Sequence, residues 1–270
     1  MSFPGNRIAA AMPGSSTRSN DGLVLSGIAL ALSIGLLFVG PIAQSPCYHD
    51  FADQETFAGI PHFFNVISNA PFLVVGLLRW RRFRATTSFA DPLIRDTFHV
   101  LVFLVGLGSS WYHLHPTDET LVWDRLPIAL VSMTVLLMAL QDFGILARAR
   151  AWLVPGLILG GLSVAHWAFT NRGDGGDLRS YILVSILAAV VVLYGLVMRP
   201  GRSRHLRTWI WVLIFYALSR ITEVLDHQVD ALPFLMSGHT WKHLFAAAAC
   251  LVLSLQMLPL KLDPPSSQRA

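Results

Sequence analysis

Eight long apolar runs constrain the fold of this chain more than any other feature. They cover about residues 23–42, 61–79, 96–114, 120–141, 151–169, 178–198, 208–225 and 239–258, and Gly, Pro, Asn and charged residues separate them. An apolar run of about 20 residues is long enough to cross a bilayer as a helix. The chain is 54% hydrophobic and only 13% charged, whereas a soluble domain carries about a quarter charged residues. The sequence therefore predicts an all-α, polytopic bundle of transmembrane helices.

The two ends of the chain are polar. Residues 1–20 and 261–270 contain Gly, Ser and Pro, and we expect disordered cytoplasmic tails on either side of one membrane domain at 21–260. The first span could be a cleaved signal peptide, but its apolar stretch is longer than a usual signal and Pro46 follows the only small-residue site. We expect a retained helix, and cleavage would leave the topology of the later spans unchanged.

Basic residues mark alternate loops. They precede span one, separate spans two and three, four and five, and six and seven, and follow span eight: Arg7, Arg18, Arg79, Arg81, Arg82, Arg84, Arg95, Arg148, Arg150, Arg199, Arg202, Arg204, Arg207 and Lys261. The positive-inside rule places these loops and both termini in the cytoplasm, and the acidic loops outside. In a bacterium the chain would be a multi-pass inner-membrane protein whose acidic loops face the periplasm.

The basic pI, about 9.4, does not indicate a nucleic-acid partner. The arginines lie beside apolar runs and not on one amphipathic face, so a topology signal is the better interpretation. Cys47 and Cys250 form neither a disulfide framework nor a CxxC motif. No protein partner is predicted.

Five polar residues in three spans fall at one predicted membrane depth. Ser109 and His113 are four residues apart, hence on one helix face, at the outer end of span three. Asp124 lies near the outer start of span four. His239 and His243, again four apart, open span eight from the same side.

Three histidines with no cysteine are a ligand set that suits zinc, although iron or nickel is not excluded by ligand type. Three protein ligands leave one position for water, whose pKa zinc can lower to about 7. Asp124 could accept the proton of that water or orient it, and Ser109 could donate a hydrogen bond to an oxyanion. The pattern predicts a hydrolytic centre near the non-cytoplasmic surface.

Other interpretations exist for each part of this pattern. An isolated HxxxH near a helix end is commonly interfacial, and Asp124 could pair with Arg125 or cap a helix. However, an ionisable group within a membrane span costs about 2.5–3.5 kcal/mol, so four of them and a serine at one depth favour function. Histidines could also be axial ligands of a haem in an electron carrier, which would leave Ser109 and Asp124 unexplained.

The motifs resemble those of the alkaline ceramidases, members of the CREST superfamily of membrane hydrolases. "GLGSSWYH", then the Asp of "WDRLP", then a late HxxxH and "NVISN" at 65–69 follow that family's order over about residues 48–258. The resemblance implies a seven-helix core, with span one as an N-terminal addition. It implies zinc on His113, His239 and His243, with Ser109 and Asp124 assisting a zinc-bound water.

The same resemblance raises the question of a second cation. Related eukaryotic proteins carry an acidic calcium site before their first helix, including a Glu at the helix start. This chain offers Asp50, Asp53 and Glu55, but His62 stands where that Glu would be, and the loop spacing differs. Calcium prefers oxygen ligands, and the alternative is a plain acidic outward loop.

These observations favour a zinc-dependent hydrolase that cleaves the amide of ceramide or a related N-acyl lipid entering from the bilayer, and releases a lipid amine and a fatty acid. The rival hypothesis is a metal-containing lipid receptor like the progestin and adipoQ receptors, which would bind lipid without releasing fatty acid. Small residues in spans three and five are expected to permit close helix approach: Gly106, Gly108, Gly160 and Gly161.

Overall fold

The protein is an all-α bundle. The computed structural model describes residues 17–78, 90–171, 175–232 and 236–257. Its helices are α1 (Thr17–Val39), α2 (Phe63–Ile67), α3 (Ala70–Leu77), α4 (Pro92–Leu114), α5 (Asp118–Asp142), α6 (Leu153–Thr170), α7 (Arg179–Met198), α8 (Leu206–Val224), α9 (Asp226–Asp230) and α10 (Gly238–Gln256). A 3-10 turn at Ala149–Trp152 leads into α6, and the described residues contain no sheet. Each predicted span contains a helix, although α1 starts at Thr17, inside the segment predicted to be a disordered tail.

The second predicted span is broken and is not one continuous helix. α2 ends at Ile67, and α3 starts at Ala70 with Pro71 in its first turn. Proline lacks the N–H that would continue the α2 ladder. The Asn65 carbonyl instead accepts from Ser68 Oγ at 3.1 Å and from Asn69 Nδ2 at 2.9 Å. The break turns the polar residues of this span toward the rest of the bundle.

Five helical segments are long and apolar enough to cross a membrane: Asn20–Val39, Pro92–Leu114, Asp118–Asp142, Ala149–Thr170 and Arg179–Met198. Large apolar side chains cover the outside of the bundle, such as Phe38, Phe169 and Val224, as expected for surfaces that face lipid. α8 and α10 have 19 residues each but are more polar. α8 carries two arginines and a glutamate, and α10 carries the HxxxH motif and Lys242.

The two ends of the bundle are tied by separate polar contacts. At one end Asp142 accepts from Trp209 Nε1 at 2.9 Å and from Ser203, joining α5 to the start of α8. At the other end Asp118, on α5, contacts His49 Nε2 at 3.0 Å and Asn171 Nδ2 at 2.8 Å. The described arginine-rich loops thus gather at the first end and the acidic loops at the second, as predicted from the alternation of charge.

The acidic loops at this second end also hold the ends of α1 and α7 together. Leu178 N donates to the carbonyl of Ile42 at 2.8 Å. Arg179 donates to both carboxylate oxygens of Asp177, and this interaction lowers the pKa of Asp177 to about 2. The carboxylate therefore stays ionised at any physiological pH and keeps its contact with the guanidinium.

The main hydrophobic core lies between α3, α4, α5, α7, α8 and α10, with Phe98, Val102, Met138 and Trp209 fully buried. α1 lies outside it, and Asp21 is the one buried residue of its Asn20–Val39 segment. Three polar contacts attach α1 to α7 and the residue after it: Asp21 accepts from Tyr194 Oη at 2.7 Å and pairs with Arg199, and Arg179 Nη1 donates to the carbonyl of Leu36 at 3.3 Å. α1 is thus peripheral to the helices that carry the polar residues described next.

Candidate metal centre

Three histidines from two helices meet inside the bundle. His113 comes from the last turn of α4, and His239 and His243 come from the first turns of α10. All three are buried, and one ligand atom from each lies within 4.8 Å of the others. Their ring centroids are 4.9 Å apart in every pair. This group could hold a metal ion, and the three predicted ligands are brought together.

His113 gives the clearest sign that the group needs a further partner. Its side chain is fully buried, yet neither Nδ1 nor Nε2 has a hydrogen-bond partner among the described residues. Leaving buried polar atoms unsatisfied costs about 1–3 kcal/mol. A cation bound by one nitrogen of each imidazole would give one ring nitrogen of His113 a partner. An all-histidine donor set fits zinc.

Ser68, in the break between α2 and α3, orients His243. Its hydroxyl lies 2.8 Å from His243 Nδ1 and also contacts the Asn65 carbonyl. A hydroxyl has one proton, so a Ser68 that donates to the carbonyl accepts from Nδ1–H. This tautomer leaves Nε2 of His243 with a free lone pair, which is the form that binds a metal.

Asp124 and Ser109 lie together beside the histidines. Asp124, in the second turn of α5, is 4% exposed, and its Oδ1 has no partner among the described residues. Ser109 is 2% exposed and lines the same cavity as Asp124. The role of Ser109 as a donor to an oxyanion stays a prediction.

A charged cluster adjoins His239. Lys242 Nζ lies 3.2 Å from His239 Nε2 and 2.8 Å from Glu223 Oε1. Glu223 also pairs with Arg220, three residues earlier on α8, as the position of these two residues in the sequence indicates. One carboxylate thus balances two cations next to the histidine group. The contact of Lys242 has no signal in the motif spacing, because it depends on how α8 packs against α10.

The loop before α2 covers the histidines at the end of the bundle where the acidic loops lie. The ring centroid of Phe51 lies 4.6 Å from that of His113 and 4.8 Å from that of His239. Asp226 fixes this loop to α10, since its carboxylate accepts from Ala52 N at 3.0 Å and from His239 N at 2.7 Å. Phe51 itself is 2% exposed, so the centre is closed to solvent on this side.

The acids considered for a second cation do not converge. Asp53 is buried and accepts from the backbone N–H of Asn65 at 2.8 Å and of Glu55 at 3.3 Å. It therefore satisfies the start of α2. Asp50 and Glu55 are exposed, and the described residues contain no acidic group with metal-ligand spacing. His62 instead contacts the carbonyl of Asp53 at 2.6 Å, so the plain acidic loop is the arrangement observed.

A cavity of about 580 Å³ extends from the centre into the bundle. Its polar end includes Ser109, Asp124, Lys242 and His243. Deeper inside, apolar side chains of α5, α7, α8 and α10 form the wall: Val131, Val135, Ile182, Ala188, Val192, Val212, Leu213, Ala246, Ala249 and Leu253. This volume is typical of ligand sites, which are mostly apolar with a few placed polar groups.

Arg125 does not pair with Asp124, contrary to one interpretation of the sequence. Adjacent residues on a helix point about 100° apart and do not face each other. The Arg125 guanidinium donates to Gln44 Oε1 and lies 4.1 Å from the ring centroid of Trp167. It is buried, and the aromatic residues of α6 and α7 gave no sequence signal for this contact.

Together the fold and the site define an all-α protein with several membrane-length helices and a buried three-histidine group that could bind a metal ion. Comparison with protein-family models finds no match, and a search of curated proteins finds no similar sequence. The resemblance to alkaline ceramidases therefore depends on the motifs themselves.

Proposed function

We propose that this protein is a zinc-dependent membrane hydrolase that cleaves the amide bond of N-acyl lipids, with ceramide or a close relative as substrate. One observation carries the proposal: three buried histidines, one without a partner for its ring nitrogens among the described residues, adjoin a carboxylate at the polar end of a mostly apolar cavity. A soluble substrate would not need such a cavity, whereas an acyl chain would fill it.

The residues of the site have complementary roles in such a reaction. His113, His239 and His243 would hold zinc, which when bound supplies a Lewis acid for the carbonyl and an activated water. Asp124 would accept a proton from the attacking water. Ser109 would donate a hydrogen bond to the oxyanion, and the apolar cavity would hold the acyl chain and exclude bulk solvent.

Asp124 alone can make both proton transfers of the reaction. Water adds through oxygen to the carbonyl carbon, the C–N bond breaks, and the proton first taken by Asp124 passes to the leaving nitrogen. The products are a fatty acid and a lipid amine. Of the carboxylates that line the cavity, Glu223 is already held by Lys242 and Arg220, so Asp124 is the better acid and base.

The test combines metal content with turnover in purified full-length protein. We expect fatty-acid release from a panel of N-acyl lipids, and an Asp124→Asn variant that keeps its metal but releases fatty acid about 100-fold to 10,000-fold more slowly. Asp230→Asn changes an exposed carboxylate on α9 and serves as the matched control. Lipid binding without fatty-acid release by wild-type protein would support a receptor and refute the enzyme.

A further inference from the structure

The guanidinium of Arg125 is buried without a carboxylate partner. The residue is 3% exposed, and its Nη2 donates to Gln44 Oε1, while Nε and Nη1 have no partner among the described residues. Charged side chains within membrane bundles normally pair with an opposite charge or face a water-filled cavity. Two buried guanidinium nitrogens without a hydrogen-bond partner among the described residues therefore point to a ligand.

Aromatic rings hold this guanidinium in place. Its central carbon lies 4.1 Å from the ring centroid of Trp167 and 5.2 Å from those of Tyr48 and Tyr181. Such cation–π contacts lower the cost of burying the charge but leave the net charge at +1. The rings also fix the side chain, so that little entropy is lost when an anion binds.

Arg125 opens onto the same cavity as the candidate metal centre. Gln44, Tyr48, Arg125 and Tyr181 line it together with Asp124. Two other cations line this cavity, Arg220 and Lys242, and both contact Glu223. Among the described cations of the cavity wall, Arg125 is thus the one not paired with a carboxylate.

The position along α5 separates the parts of a ligand. Arg125 follows Asp124 on α5, and its guanidinium extends to Gln44, in the loop after α1. The apolar wall residues Val131 and Val135 lie two to three turns further along α5. An acyl chain beside these two residues would place its amide near Asp124, and the group on the amide nitrogen would then be within reach of the Arg125 guanidinium.

We propose that Arg125 binds an anionic head group, a carboxylate or phosphate, so that among N-acyl lipids the substrate is an acidic one, such as an N-acyl amino acid, and not neutral ceramide. This inference rests on the proposed function for the placement of the amide. The planar fork of arginine binds two oxygens of such a group at once. The same chemistry would suit the carboxylate of a free fatty acid, so the experiment separates the two sources.

The experiment measures binding to full-length protein kept free of metal by a chelator, so that no turnover is needed. The probes are N-palmitoylglycine, the neutral analogue N-palmitoylethanolamine, and palmitate, followed by quenching of tryptophan fluorescence. Wild-type protein should bind N-palmitoylglycine at least about tenfold more tightly than the neutral analogue, since a charge-assisted hydrogen bond contributes about 1.5–3 kcal/mol. Arg125→Gln should remove this preference, and Arg125→Lys should keep part of it.

Arg150→Gln is the matched control, because Arg150 is exposed and lies past the far end of α5. It removes the same charge and should keep the full preference. Equal affinity of wild-type protein for the charged and neutral amides overturns the inference, and that comparison needs no variant to fold. Palmitate binding as tight as that of N-palmitoylglycine would assign Arg125 to the product carboxylate and also overturn it. A preference for N-palmitoylglycine that depends on Arg125, in a protein that releases no fatty acid, would support the anion site and refute the proposed hydrolase activity.

Discussion

The hydroxyl of Ser68 lies 2.8 Å from Nδ1 of His243. This contact joins the break in the second predicted span to the candidate metal centre. The position of the break is therefore coupled to the orientation of a candidate metal ligand.

Ser68→Ala should weaken zinc binding about 10-fold to 100-fold, as loss of a hydrogen bond behind a metal-ligating histidine usually does. Competition with a chromogenic chelator measures the affinity. Ser254→Ala is the control, since Ser254 is equally buried on α10 but bonds the carbonyl of Cys250. Equal zinc affinity in Ser68→Ala and wild-type protein would show that Ser68 does not orient the ligand.

His113→Ala should abolish stoichiometric zinc. Wild-type protein should hold one zinc per chain, and its melting temperature should rise with added zinc, because a ligand at 1,000 times its dissociation constant stabilises by about 4.1 kcal/mol. The variant should show neither effect in metal analysis and thermal unfolding. His166→Ala, which removes an exposed histidine on α6, should keep both, and zinc retained by His113→Ala would remove His113 from the ligand set.

Glu223→Gln should lower zinc affinity by about tenfold or more. The change leaves the charge of Lys242, 3.2 Å from His239 Nε2, without its counter-ion, and an unpaired charge in a low-dielectric site is costly. Adding Lys242→Met to Glu223→Gln should restore most of the affinity. Wild-type protein, the single variants Glu223→Gln and Lys242→Met, and the double variant form a double-mutant cycle. Additive effects on zinc affinity in that cycle would exclude coupling between Glu223 and Lys242 in metal binding.

Gly108→Ala should destabilise the bundle by at least about 1–3 kcal/mol. A Cβ at this position of α4 would lie 2.0 Å from the carbonyl oxygen of Trp123 on α5, so the two helices would have to separate next to Asp124. Gly161→Ala on α6 is the control, because no atom lies within 4 Å of its Cβ position, and it should be neutral or slightly stabilising. Thermal unfolding compares them, and equal melting temperatures would contradict the close approach.

Much of the site could be predicted from the sequence, because helix period and charge alternation are local signals. The lengths of the apolar runs predicted the helices. The alternation of basic loops indicated which helix ends lie on the same side of the bundle. His113, Asp124 and His239 were thereby assigned to one depth before any contact was known. Gly106, Gly108 and Gly160 are at close helix contacts, as expected, but the prediction for Gly161 was wrong, since spacing alone does not show which face meets a neighbour.

The remaining features depend on tertiary contacts. The break at Ser68 is stabilised from outside its own segment, where Asn65 Oδ1 accepts from Thr240 Oγ1 of α10 at 2.8 Å. In the sequence Asp53 resembled a cation ligand. In the structure its partners are backbone N–H groups, and such partners have no sequence signature. Which membrane face is cytoplasmic, and which metal binds, stay predictions from the arginine pattern and the ligand types.

The ring of Phe51 has a kinetic consequence. It packs against His113 and His239, and Asp226 fastens its segment to α10, so an ion held beneath it would reach water on this side only after residues 43–62 detach. Removal of zinc by a strong chelator should then proceed at the rate of this local opening, and that rate should not increase when more chelator is added. Phe51→Ala should make the exchange faster and dependent on chelator concentration.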